Sequence, residues 1–107
     1  MSDGCKVTVD AGVCKMNTVI TANMDSETMM VILDIKSDCK AVQKIADSIK
    51  PICPYSEIGS HIYETEVYKA CNECLPHAAC PVPCGMVKAI EVAGGLGLKR
   101  NVTINIE

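Results

Sequence analysis

The stretch Asn17-Thr18-Val19-Ile20-Thr21-Ala22-Asn23-Met24, then Asp25-Ser26-Glu27-Thr28, then Met29-Met30-Val31-Ile32-Leu33-Asp34-Ile35 decides the fold class. In its first part Thr18, Ile20, Ala22 and Met24 recur at a period of two, the mark of a half-buried strand. Asp25 to Thr28 is rich in turn formers and reads as a hairpin connection. The part from Met29 to Ile35 is almost continuously apolar, which predicts a strand placed centrally in the sheet. Upstream, Cys5, Val7 and Val9 alternate with Lys6 and Thr8, predicting a strand over residues 5–9. Asp10 to Lys15 then reads as a turn carrying Cys14.

Downstream the period lengthens. Cys39, Val42, Ile45, Ala46 and Ile49 recur at helical spacing, behind a cap at Ser37 or Asp38 and ahead of Pro51. Pro51-Ile52-Cys53-Pro54 reads as a rigid link. A second helix is predicted from near Ser60 to Cys74, with a stripe of Tyr63, Val67, Ala70, Cys71 and Cys74, stopped by Leu75-Pro76. A third is predicted from near Cys80 to Gly94-Gly95, with Pro81 and Pro83 tolerated in its first turn. Val102, Ile104 and Ile106 share a face over Asn101 to Ile106 and predict a last strand. The expected order is strand, strand, strand, three helices, strand. That is a single α+β domain over residues 1–107, with a mainly antiparallel four-stranded sheet covered by helices.

The 107 residues are 49% hydrophobic and 21% charged, enough for one small core. With no Trp or Phe and only three Tyr, that core is aliphatic. A net charge of −3, with Arg100 the single arginine, excludes a nucleic-acid partner of the usual basic kind. No apolar run is long enough to cross a bilayer, and the first residues lack a signal-peptide core, so membrane insertion is not expected and the chain reads as cytoplasmic. In that setting eight cysteines point to metal or redox chemistry rather than to a disulfide scaffold.

The chemistry concentrates in Cys71-Asn72-Glu73-Cys74-Leu75-Pro76-His77-Ala78-Ala79-Cys80-Pro81-Val82-Pro83-Cys84. Cys71 and Cys74 fall on one face at the end of one predicted helix, and Cys80 and Cys84 on one face at the start of the next. A short connection can bring these sulfurs to one centre, and a helix start favours thiolate. The four are therefore candidate ligands of an iron–sulfur cluster, expected as 4Fe–4S, with a four-thiolate zinc site as the alternative. The spacing departs from that of bacterial ferredoxins: the middle gap is five residues, and Cys84 is followed by Gly85. Cys14, Cys39 and Cys53, in a turn, at a helix start and in a link, are possible additional ligands. Cys5 alternates with core residues and reads as packing. His77 reads as a solvated loop residue beside the cluster, and His61 as a surface one.

Cys71-x-x-Cys74 lies at a helix end, the wrong end for a thioredoxin-like pair. Gly94-Gly95-Leu96-Gly97 follows a helix and precedes a strand, the reverse of a phosphate loop. No Ser-His-Asp set or paired carboxylates appear. Catalysis is not expected, and Cys80 is the one candidate nucleophile.

The stretch from Ala79-Cys80-Pro81-Val82-Pro83-Cys84 through Gly85-Met86-Val87-Lys88-Ala89-Ile90-Glu91-Val92-Ala93-Gly94-Gly95-Leu96-Gly97-Leu98 resembles small cysteine-rich proteins of strict anaerobes such as methanogenic archaea. The resemblance implies an anaerobic cytoplasm suited to iron–sulfur chemistry, and a setting of one-carbon metabolism for any partner complex. The combined expectation is a small redox- or oxygen-responsive accessory subunit bound to a larger enzyme complex. The alternatives are a structural zinc interaction module and a simple electron carrier.

Overall fold

A computed structural model describes residues 4–107. Three strands come first: β1 (Cys5–Asp10), β2 (Asn17–Asp25) and β3 (Met30–Ser37). They form one antiparallel sheet in the order β1-β2-β3, with Val7 opposite Ile20 and Ile20 opposite Ile35. Four α-helices follow: α1 (Lys40–Ser48), α2 (Pro54–Gly59), α3 (Glu66–Cys74) and α4 (Val82–Ala93), with a 3-10 turn at Ile62–Glu64 between α2 and α3. The domain is α+β, but the expected four-stranded sheet under three helices is corrected to three strands and four helices.

Each difference has a local cause. The expected strand Asn101 to Ile106 belongs to no ladder, and all six of its residues are exposed. Alternation specifies the face a strand would bury, but a strand also needs a neighbour within hydrogen-bonding reach. β2, not β3, is central. The long apolar run around β3 divides three ways. Val31 and Ile35 are buried, Ile32 is 47% exposed on the outer face, and Met29 sits in the hairpin turn. Met29 has φ 59°, and its N–H donates to the Asp25 carbonyl at 2.7 Å.

The helix expected from Ser60 to Cys74 begins only at Glu66. Thr65 caps it, its Oγ1 accepting the Tyr68 N–H at 3.1 Å. Tyr63, expected on its buried stripe, lies in the 3-10 turn and is 76% exposed. The expected link at Pro51–Pro54 contains a bridge instead. Ile52 exchanges both backbone hydrogen bonds with Val31, at 2.8 and 2.9 Å, and Pro54 opens α2.

The core lies between the inner sheet face and the helices. Ile20, Ala22, Val31 and Ile35 from the sheet meet Val42 and Ile45 of α1, Val67 and Cys71 of α3, and Met86, Ala89 and Ile90 of α4. Burying each of the larger aliphatic side chains contributes about 1.5–3 kcal/mol. α4 lies directly on the sheet because Gly85 has no side chain. A Cβ there would stand 2.6 Å from Val9 Cγ2 and 3.5 Å from Val7 Cγ1. Among the described residues no helix is long and apolar enough to cross a membrane.

Candidate thiol site between two helix ends

α3 ends at Cys74, where Leu75 leaves the helix with its N–H on the Cys71 carbonyl at 2.8 Å. Seven residues later α4 starts at Val82, after Pro81. α3 packs against α4, and Cys80, just ahead of α4, is an electrostatic neighbour of Cys71 near the end of α3. Cys71 is buried in the core cluster, Cys74 and Cys80 are half-buried beside it, and Cys84 is exposed in the first turn of α4. Cys80 precedes the helix rather than opening it.

The electrostatics tie these thiols together. Burial pushes the Cys71 thiol up to about 12, and the neighbouring Cys80 and Cys74 add to the rise. The Tyr68 hydroxyl is raised first by burial, then by the charges that Cys84 and Cys71 would carry. Lys88 is raised chiefly by its hydrogen bond to Glu91, Nζ to Oε1 at 2.9 Å, with Cys84 a smaller contributor. The neighbourhood is thus Cys71, Cys74, Cys80 and Cys84, with Tyr68 and Lys88 at its margin. A depression of about 250 Å³ adjoins it, lined by apolar Ile58, Ile62 and Val87 as well as by Glu57, Tyr68 and Lys88.

These thiols are neighbours, but not an assembled ligand set. Among the described residues no three His, Cys, Asp or Glu side chains are gathered in a group that could hold a metal ion. The donor chemistry still suits a soft cation. Burial and mutual repulsion oppose ionisation of Cys71, and the attraction of a bound cation would outweigh both. All eight cysteines are free, so none of the clustered four is held in a disulfide.

The remaining candidates are dispersed in role. Cys14 is exposed in the β1–β2 turn. Cys39 and Cys53 occupy the cap positions of α1 and α2, half-buried. None of the three is among the charged neighbours acting on Cys71. Cys5 is half-buried against the core, and His77 is exposed in the connection between α3 and α4.

Two residues of the neighbourhood had no place in the sequence reading. Tyr68 was legible, since it lies three residues before Cys71 and shares its helix face. Glu57 was not. It is only 4% exposed, and it receives the Glu66 and Val67 N–H groups from a different helix.

Residues 5–106 match the model of a family of unknown function (DUF6951), and the chain belongs to that family. No curated protein and no solved structure matches it.

Proposed function

We propose that this member of the DUF6951 family is a small iron–sulfur protein without catalysis of its own, whose cluster is held by Cys71, Cys74, Cys80 and Cys84. The observation that carries the reading is the placement of buried Cys71 and half-buried Cys74 in the last turns of α3 with half-buried Cys80 just ahead of α4, all against one core cluster. Neighbouring buried thiols are costly to ionise together without a cation, and with one they become strong ligands. Loading requires the thiols to turn toward a common point. Cysteine has a single side-chain torsion to adjust, and the exposed Cys84 is the least constrained of the four.

The role proposed is redox- or oxygen-responsive: a cytoplasmic accessory subunit of an anaerobe that binds a larger enzyme complex, of one-carbon metabolism in the setting the resemblance implies. A cluster at a surface connection with an exposed ligand is open to oxidants, and its loss would alter the surface offered to a partner. The experiment is iron, zinc and acid-labile sulfide analysis with an absorption spectrum, on protein purified without oxygen or added metal. Iron with sulfide and a broad visible band is the expected result. Stoichiometric zinc without iron would replace the reading with a structural zinc module. Protein without bound metal would overturn it. Oxygen-dependent loss of partner binding separates the responsive role from simple electron carriage, in which the cluster cycles with affinity unchanged.

A further inference from the structure

Beyond Lys99, which still lines a depression on the body of the domain, residues 100–107 are all exposed. Val102 is 57% exposed, Ile104 75% and Ile106 89%, and no backbone hydrogen bond ties this segment to the other described residues. The three apolar side chains alternate with Asn101, Thr103 and Asn105, the pattern of a strand with one apolar face. The domain measures 40 × 27 × 25 Å, long for a core this small.

The molecule also carries an open sheet edge. Among the described residues β1 pairs only with β2, and its other side meets no strand. Cys5, Val7 and Val9 on its helix-facing side are only half-buried. β3 is different, because Ile52 already pairs with it at Val31. An uncovered edge above half-covered valines is a template for an added strand.

We propose that Asn101 to Ile106 adds as an antiparallel strand to the β1 edge of a second copy of this chain, in a reciprocal exchange. Each chain's own sheet stays three-stranded. Each edge receives its neighbour from the partner.

Length, pattern and charge favour that occupant. Both segments are six residues long. With Val7 opposite Ile104, Val9 meets Val102 and Cys5 meets Ile106, all on the apolar side. The same register sets Lys99 diagonal to Asp10 and Glu107 diagonal to Lys6, each an opposite-charge pair. Docking of the segment on its own β1 lacks these advantages. Gly4, Leu98 and Lys99 line one depression, so the segment starts at the beginning of its own β1 and would run parallel to it. Parallel pairing at the same contact, Val7 with Ile104, sets Glu107 directly opposite Asp10, two like charges. Reciprocity doubles the area buried, toward the ~1,600 Å² of a standard interface.

The test is sedimentation of the 107-residue chain, reduced and without oxygen, with Ile104→Asp beside it. The wild type is expected at twice 11.4 kDa and the variant at 11.4 kDa, with its helical far-UV circular dichroism retained. Amides of residues 102–106 and of β1 should exchange slowly in the wild type and lose protection together in the variant. A wild type that stays monomeric up to its solubility limit overturns the proposal. So does an Ile104→Asp dimer, which places the contact elsewhere. Protected 102–106 amides in a monomer overturn it too, by placing the segment on its own chain.

Discussion

Glu57 holds the start of α3 from outside that helix: its Oε2 accepts the Val67 N–H at 2.9 Å, while Oε1 accepts the Glu66 N–H at 2.9 Å. A helix start presents unpaired N–H groups and partial positive charge, and a buried carboxylate answers both. The α2–α3 corner thereby sets the line of α3 toward its cysteine-bearing end. Glu57→Ala leaves two donors without partners and should cost about 2–3 kcal/mol in denaturant unfolding. Glu57→Gln keeps one carbonyl acceptor and should cost about half as much. Equal losses in the two variants would mean that side-chain volume, not the paired N–H groups, matters there.

Cys71 gives the metal-free protein a pH dependence of definite sign. Burial, reinforced by Cys80 and Cys74, pushes its thiol up to about 12, above the ~8.5 of a free cysteine. Between those values the unfolded chain has released this proton and the folded chain retains it. The unfolded state then binds fewer protons, so the contribution to stability is full below the window and is lost as pH rises through it. Unfolding free energy should fall with pH in that window, with a slope from this group of up to ~1.4 kcal/mol per pH unit. Cys71→Ala should have a flatter profile. Identical slopes would remove Cys71 as the source.

Alkylation and metal content divide the cysteines by position. In metal-free protein at pH 8, exposed Cys14 and Cys84 should react with iodoacetamide well before buried Cys71, as read by peptide mass mapping. In protein purified without oxygen, Cys71→Ser, Cys74→Ser and Cys80→Ser should each lose more than about half of the bound iron and sulfide, since a cluster needs most of its thiolates. Cys14→Ser should keep its full content. Iron lost equally from all four variants would mean that the cluster is not where these helix ends meet.

Gly85→Ala tests the contact between α4 and the sheet. The added Cβ would stand 2.6 Å from Val9 Cγ2, which forces the helix or the valine to move. Overpacking of this kind costs about 1–3 kcal/mol, against which alanine's helix propensity returns about 1 kcal/mol. A net loss of roughly 0–2 kcal/mol is expected from the denaturant midpoint. A gain in stability would mean that β1 gives way freely.

The strands up to Ser37 were legible because one face of the sheet is buried, and a buried face imposes period two on Thr18, Ile20 and Ala22. The placement of β3 was not, because apolar side chains in the hairpin turn and on the outer face look the same in sequence as buried ones. The break between α2 and α3 was hidden for a different reason. Its cap comes in part from Glu57, nine and ten residues away from the N–H groups it receives. Sequence spacing brought Cys71, Cys74, Cys80 and Cys84 to one pair of helix ends, since each pair needed only its own helix turn. It also put Cys39 at a helix start, where it is the N-cap of α1, but took Cys53 for part of a link, because the short helix α2 that Pro54 opens has no long apolar stripe to announce it.

A protein without tryptophan has little optical background of its own, and here the three tyrosines are unequally placed. Tyr55 and Tyr63 face solvent at 57% and 76% exposure, whereas Tyr68 stands half-buried beside Cys71 and Cys84. The fluorescence of Tyr68 is therefore a built-in probe of the thiol site, needing no label. A metal or an oxidant that reaches those sulfurs would change the emission of one tyrosine out of three, and the two solvent-facing rings would supply the internal reference.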